Sequence, residues 1–444
     1  MTSHPSTRDT GRVLAIGLGF FAMSAALAAF NVYVPLLLNA AGVSAAAIGL
    51  VMALDNVFGI TVQPLVGMVS DHTRSPLGRR FPYIAAGAPV AALALVAAPI
   101  VAPASLAVAV GLLAVHTLSM ATWRAPATAL MPDIVTSPRR SRANGLLKTM
   151  STLGSIATLA LGGLLYKSFS FTGPFAMAAV LMLLALVALL LFVREPAAFR
   201  APGLHVRPVQ GGMDVAASSA PEGFWKRAWR IIVPPLGLTG AAKRSLLFML
   251  GTVFAYTLGG NVLDSFLSLY LKTSLGVPTA GVSAIMLPYI VASLLCAFPA
   301  GLVGQRIGRK RSVLIGLTGS AVVLIGQSFV HDATTFMVAM IVMSPFFILA
   351  VVNALPMVLE MGGRTHTGTM TAYYFLAANV GAIISPILFG ALKDATGNFS
   401  LMFWFAAAGM LLAVVSLTQV RKGDGEASPA AQTDAAEEAA DANL

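Results

Sequence analysis

Gln63-Pro64-Leu65-Val66-Gly67, Ser70-Asp71 and Gly78-Arg79-Arg80-Phe81-Pro82-Tyr83-Ile84 form one stretch in which a short basic loop joins two apolar runs. A second loop, Gly301-Leu302-Val303-Gly304-Gln305-Arg306-Ile307-Gly308-Arg309-Lys310, repeats the order of glycine, polar residue, glycine and basic pair. Each loop follows the second apolar run of its half, the pattern of a duplicated membrane unit. Glycine lets a helix end approach its neighbour closely, and a carboxylate at a helix terminus can sit against the positive end of another helix. Asp71 is therefore expected to face the start of the eleventh helix in one conformation and to lose that partner in another. Gly67, Asp71, Gly78, Arg79, Arg80, Gly301, Arg306, Gly308 and Arg309 make up this expected gate.

Composition sets the solvent. Of 444 residues 57% are hydrophobic and 10% charged, against roughly 25% charged in an ordinary soluble domain. Apolar windows fall near 13–38, 46–69, 83–101, 104–131, 143–166 and 172–193, then 246–270, 278–302, 312–330, 333–358, 367–391 and 397–420. Each is long enough for a bilayer core that needs about 20 apolar residues per helix. The expected fold is an all-α membrane protein of twelve transmembrane helices in two pseudo-symmetric six-helix bundles. Its parts are 1–193, a central cytoplasmic loop 194–245, 246–420, and a disordered cytoplasmic tail 421–444 that is rich in Ala, Glu and Asp. The length leaves no room for a large soluble domain.

The charge follows topology. With both termini cytoplasmic, 24 of the 28 Lys and Arg residues lie in inside segments and only Lys167, Lys272 and Lys393 lie outside. That asymmetry orients the chain in the cell membrane and accounts for the net charge of +11 without a nucleic-acid partner. In the central loop, Phe224, Trp225, Lys226, Arg227, Trp229 and Arg230 mix aromatic and basic residues, as an interfacial helix on anionic lipid would. The single cysteine, Cys296, reads as a small buried hydrophobe.

The paired loops resemble the signature loop of the major facilitator superfamily. The longer stretch from Gln63 to Ile84 resembles the sucrose-transporter-like branch of the glycoside-pentoside-hexuronide cation symporters, as do Arg124-Ala125-Pro126 to Leu130-Met131-Pro132-Asp133, Asn353-Ala354-Leu355-Pro356 and Ser385-Pro386-Ile387-Leu388-Phe389-Gly390. The resemblance implies secondary transport of a sugar or glycoside by alternating access. Where sodium-coupled members carry two carboxylates on helix 2, matching Gln63-Pro64 leaves Gly59 and Gln63. Hard cations want charged oxygens, so no metal site is expected and protons are the expected coupling ion. Plant sucrose-proton symporters carry an acid and an arginine on helix 4, where Thr117 and Thr128 stand here.

A charge at the bilayer centre costs about 2.5 to 3.5 kcal/mol on insertion scales, so it needs a partner, a watery cavity or a changed protonation state. Asp55, Arg124 and Asp264 are the coupling candidates on that ground. Asp55, nearest mid-membrane, is the expected proton carrier, with Asp264 as its competitor. Arg124 falls roughly 10 Å deeper toward the cytoplasm at about 1.5 Å per residue, which argues against a direct pair in at least one state. Asn31, Gln63, Trp123, Asn261, Asn353 and Tyr374 are the expected wall of the substrate cavity, each asparagine having an interhelical hydrogen bond as its alternative.

Two other classes compete with a proton-coupled sugar symporter. An exporter of drug-like or apolar compounds fits the many Met and Phe residues and the sparse cavity charge, and an uncoupled facilitator would need no proton site. An enzyme has no support: there is no nucleotide loop or His-rich spacing, and His116 stands alone in helix 4. No cofactor is expected, and the chain is expected to act as a monomer.

Overall fold

The computed structural model describes residues 7–134, 140–195, 240–361 and 367–420. These residues form twelve helices: α1 (Thr7–Ala40), α2 (Ala45–His72), α3 (Phe81–Val101), α4 (Leu106–Ile134), α5 (Arg140–Phe169) and α6 (Thr172–Phe192), then α7 (Gly240–Thr273), α8 (Thr279–Ile307), α9 (Arg309–Gln327), α10 (Ala333–Met361), α11 (Thr367–Thr396) and α12 (Leu401–Thr418). Eleven are long and apolar enough to cross a membrane. The exception, α9, opens on Arg309-Lys310-Arg311, so only Ser312–Gln327 remains as its apolar part. The expected loop helix at 224–230 and the expected disordered tail 421–444 lie outside the described residues.

Most helices outrun the apolar windows that announce them, although α12 is shorter than its window. α7 begins at Gly240 rather than near 246, because hydropathy marks the bilayer-crossing part while the backbone hydrogen bonds run on into the polar flank. Prolines sit inside α1, α2, α3, α4, α8, α10 and α11. Neighbouring helices and polar side chains can re-satisfy the carbonyls that proline frees in such helices.

α1–α6 pack into one bundle and α7–α12 into a second. Small residues set the closest approaches. A Cβ on Gly154 of α5 would lie 2.0 Å from the Phe21 carbonyl of α1, and one on Gly259 of α7 would lie 2.5 Å from the Ala406 carbonyl of α12. Lipid tails give apolar helices no hydrophobic reason to associate, so such backbone proximity supplies the packing energy. The two bundles meet mainly along α2 with α11 and α5 with α8. One end of the molecule carries the α2–α3 and α8–α9 loops and is called here the basic face; the α1–α2 and α11–α12 connections mark the opposite face.

Candidate functional site

The two inter-bundle seams are closed at the opposite face and diverge toward the basic face. Along α2 and α11, a Cβ on Gly49 would lie 2.1 Å from the Pro386 carbonyl and one on Gly390 2.4 Å from the Ala45 carbonyl. Further along, a Cβ on Gly59 would lie 3.6 Å from Asn379 Oδ1, and one on Gly67 would meet nothing within 4 Å. The α5–α8 seam behaves alike: a Cβ on Gly163 would lie 2.1 Å from the Ala280 carbonyl, whereas Gly145 has open space.

Beyond the closed end, α1, α5, α7, α8 and α10 enclose a cavity of about 160 Å³. Its polar side chains are Asn31, Ser155, Asp264 and Tyr289. The rest of the wall is aliphatic or aromatic, with Met286, Met340, Met343 and Phe347 at its second-bundle side. Asp264 is exposed to this space while protein surrounds it on its other sides. Among the described residues no hydrogen bond or ion pair is made to its carboxylate.

Of the six residues expected in the wall, Asn31 lines the cavity. Gln63 is half-buried on the α2–α11 seam, beside Gly59 and Asn379, and Asn261 is half-buried on α7 outside the cavity wall. The other three sit in helix contacts in this conformation. Trp123 is fully buried with its Cβ against Gly87 of α3. The Asn353 amide donates to the Ala300 carbonyl of α8 at 3.1 Å and the Leu349 carbonyl at 2.9 Å, so it ties α10 to α8. Tyr374 is 8% exposed and shares a 2.7 Å hydrogen bond with the Tyr256 hydroxyl of α7.

The coupling candidates divide. Arg124 reaches Asp55 at 3.3 Å in this conformation, because a guanidinium on a long stem covers an axial offset that separates the two Cα positions. Both remain partly accessible, at 26% and 16%. His116 is buried, bonds the Ala91 carbonyl at 2.8 Å and stacks on Phe30, the packing role its isolation implies.

At the basic face, the first-bundle loop is a charge network. Arg80 pairs with Asp71 and with Asp133 of α4, and donates to the Ser70 hydroxyl at 2.6 Å. Arg79 also pairs with Asp133. Glu195, just past α6, accepts the backbone N–H groups of Arg79, Arg80 and Phe81 at 2.8, 2.7 and 3.2 Å, satisfying donors that the start of α3 leaves open. Gly78 makes this possible: its φ of +112° suits glycine, and a Cβ there would lie 2.6 Å from the Glu195 carboxyl carbon. The second loop keeps the glycine and basic-pair skeleton. Gly308 has φ +90°, Arg309 pairs with Glu360 of α10, and Lys310 donates to the Val420 carbonyl. Gln305 occupies the place of Asp71; Arg306 is exposed, and a Cβ on Gly301 would touch only Val352 at 3.9 Å.

The opposite face has its own carboxylate, unnoticed in the sequence. Asp394, near the end of α11, accepts the Ala45 N–H at 3.0 Å and the Ala46 N–H at 2.8 Å. Ser44 accepts the Ala47 N–H at 3.3 Å, and the Ile48 N–H makes the first intrahelical bond to the Ser44 carbonyl. The three open donors of α2 are thus filled, two of them from the other bundle. The position of Asp394 at a helix end, as for Asp71, is the signal that could have found it. Glu195 offered none, because its partners are backbone amides of a distant loop.

A sequence model described as Major Facilitator Superfamily matches residues 16–250 and 249–441. Short segments resemble curated proteins: the Membrane-associated transporter protein of Homo sapiens (35% identical over 80 residues, 18% of this chain and 15% of that protein), and the Probable sulfoacetate transporter SauU of Cupriavidus necator (30% over 118 residues, 26% of each). Solute carrier family 45 member 3 of Homo sapiens is 38% identical over 73 residues, 16% of this chain and 13% of that one. These matches span between 13% and 26% of the relatives. Among solved structures, a D-xylose-proton symporter superposes with a TM-score of 0.71 at 14% identity, covering 94% of this chain and 99% of that one. The nucleoside transporter NupG gives 0.69 at 14% identity, covering 94% and 100%. Likeness at this identity concerns the fold.

Proposed function

Because this chain belongs to the Major Facilitator Superfamily, a superfamily of membrane transporters, we propose that it is a proton-coupled secondary transporter that carries a small organic solute by alternating access, with Asp264 exchanging the proton. The observation that carries this reading is the unpaired Asp264 carboxylate in an otherwise mostly apolar cavity. A proton carrier must be free to lose and regain its charge as its surroundings change. Asp55 meets that need less well, since its carboxylate already has the Arg124 guanidinium as a partner at 3.3 Å.

In this reading the basic face is cytoplasmic, the closed opposite face is extracellular, and the structure represents an inward-open state. Two acids on the α2–α11 seam then act in turn. Asp394 caps α2 while the outer seam is shut, and Asp71 at the far end of α2 would cap α11 when the inner seam shuts. Each contact exists in one state only, so each biases the equilibrium between them.

For the solute, the sugar or glycoside expected from the sequence would use Asn31, Ser155, Asp264 and Tyr289. Sugars want many neutral donors and acceptors, and four polar side chains among a mostly apolar lining is a sparse set. The second reading, an exporter of drug-like compounds, is favoured by the methionine and phenylalanine wall. The sulfonate suggested by one relative's name finds no unpaired cation in this cavity, whose wall holds no Lys or Arg.

The test is flux in proteoliposomes carrying the full chain, using a panel of radiolabelled monosaccharides, disaccharides and small amines, with and without a proton gradient. Wild type should move at least one solute against its gradient. Asp264→Asn should lose gradient-driven movement of that solute. Retained gradient-driven movement in Asp264→Asn would remove it as the proton site.

A further inference from the structure

The cavity is built like a receptor for one positive charge on an apolar body. Among the described residues its wall holds a single carboxylate, Asp264, and the only other titratable group there is Tyr289 of α8. The α1, α5 and α10 side chains that line it, including Asn31, Ser155 and Phe347, carry no charge. A carboxylate that faces a mostly apolar cavity, with no hydrogen bond or ion pair from the described residues, has room for a positively charged partner. Either a proton or a cationic ligand can fill that place, and the two cannot occupy the same oxygen together.

The remaining wall selects among cations. A small inorganic cation would need several oxygen ligands, which the wall does not assemble around Asp264. Phe347 and Tyr289 present aromatic rings, and a cation over such a ring gains electrostatic attraction. Met286, Met340 and Met343 are unbranched and polarizable, so they adapt to apolar groups of different shape. Resting on the transporter reading above, we propose that the solute is an amphipathic organic monocation, its ammonium bound by Asp264 and its apolar body seated on the Met and Phe wall. Cation and proton then compete for one carboxylate, so the transporter exchanges them.

Competition also supplies the coupling. When the cavity faces one side, proton binding at Asp264 displaces the cation; when it faces the other, the cation displaces the proton. The exchange needs no second acid, and it leaves the Asp55–Arg124 pair intact.

The experiment uses the purified full chain in detergent and three ligands of one shape: phenethylamine as the cation, 2-phenylethanol as its neutral counterpart and 3-phenylpropionate as an anion. Binding is measured by titration calorimetry in buffers of different ionisation enthalpy, so that released protons are counted. Hydrogen bonds to charged groups are strong enough for phenethylamine to bind at least about tenfold tighter than phenylethanol, with a proton released, while the anion binds weakest. Asp264→Asn should bring cation and neutral ligand to within about twofold. Asp264→Glu keeps the charge and should keep the preference, which separates recognition from a folding defect. Equal binding of the cation and the neutral ligand by wild type, or a cation preference that survives in Asp264→Asn, overturns the proposal. Proton-driven accumulation of a neutral sugar that depends on Asp264 would overturn this solute class yet leave the transporter reading standing. Absence of any solute-linked proton movement across the whole flux panel would instead sink the transporter reading itself.

Discussion

Replacing Asp394 with alanine deprives the Ala45 and Ala46 amides of the acceptor that reaches them across the bundle interface at 3.0 and 2.8 Å. Loss of a capping side chain costs about 0.5 to 2 kcal/mol, and a negative charge at a helix N-terminus is worth roughly 0.3 to 1 kcal/mol. Asp394 is partly exposed and has Lys393 at 3.7 Å, so water and that lysine reduce the value to about 1 kcal/mol. The carboxylate faces water once the outer seam opens, so nearly all of that energy belongs to the closed arrangement. The ratio of opposite-face-open to opposite-face-closed molecules should therefore rise roughly fivefold in Asp394→Ala. Spin labels at Ala41 and Asn398, exposed positions on the two connections flanking the seam, would read this as a larger long-distance population by pulsed electron resonance. Cys296 would first be replaced by serine. Asp332→Ala is the matched control: it removes a cap of the same kind, in which Thr335 N–H donates to Asp332 at 2.7 Å within one bundle. That control should leave the ratio within about twofold. An unchanged ratio in Asp394→Ala, or an equal change in Asp332→Ala, would refute the latch.

Asp71→Asn should slow solute exchange by about tenfold or more if the capped inner seam lies on the transport cycle, with solute binding unaltered; normal exchange would reduce the loop to a topology anchor. Asp55→Asn leaves the Arg124 guanidinium without its acid, and thermal unfolding in detergent should report a loss of roughly 1 to 3 kcal/mol. Adding Arg124→Gln should recover a good part of that loss, and a double variant no more stable than the single one would deny the pair any energetic role. Gly78→Ala places a methyl against Glu195 at a backbone angle of +112°, so the same unfolding assay should fall by about 1 to 3 kcal/mol. Wild-type stability there would mean that the α2–α3 loop relaxes freely. Burial aside, one exposed group has a legible charge: the Thr335 N–H holds the Asp332 carboxyl below the usual carboxylate value, so this cap weakens only as pH falls through that lowered value.

The membrane fold could be read along one dimension. Apolar length and basic loops are properties of consecutive residues, and the bilayer imposes both, so twelve segments in two related halves were legible with no knowledge of their packing. The repeated loops were legible for a similar reason: Gly78 and Gly308 both adopt positive φ, a local demand that only a few residue types meet. Which side chain faces the cavity was not legible. Membrane helices are apolar on every face, so no contrast between a polar and an apolar side marks the inward one. Trp123, Asn353 and Tyr374 sit at plausible depths yet turn into helix contacts, and the rotation about each helix axis alone decided it. The same holds for the charges. Depth from residue number separated Asp55 from Arg124, but side-chain reach joined them. Asp264 was visible as an acid, whereas its isolation among apolar walls arises only when α1, α5, α8 and α10 close around it. Asp394 acquires its partners from a helix almost 350 residues earlier; its own neighbours in the chain say nothing of them, because the donors it fills are backbone amides that any residue could supply.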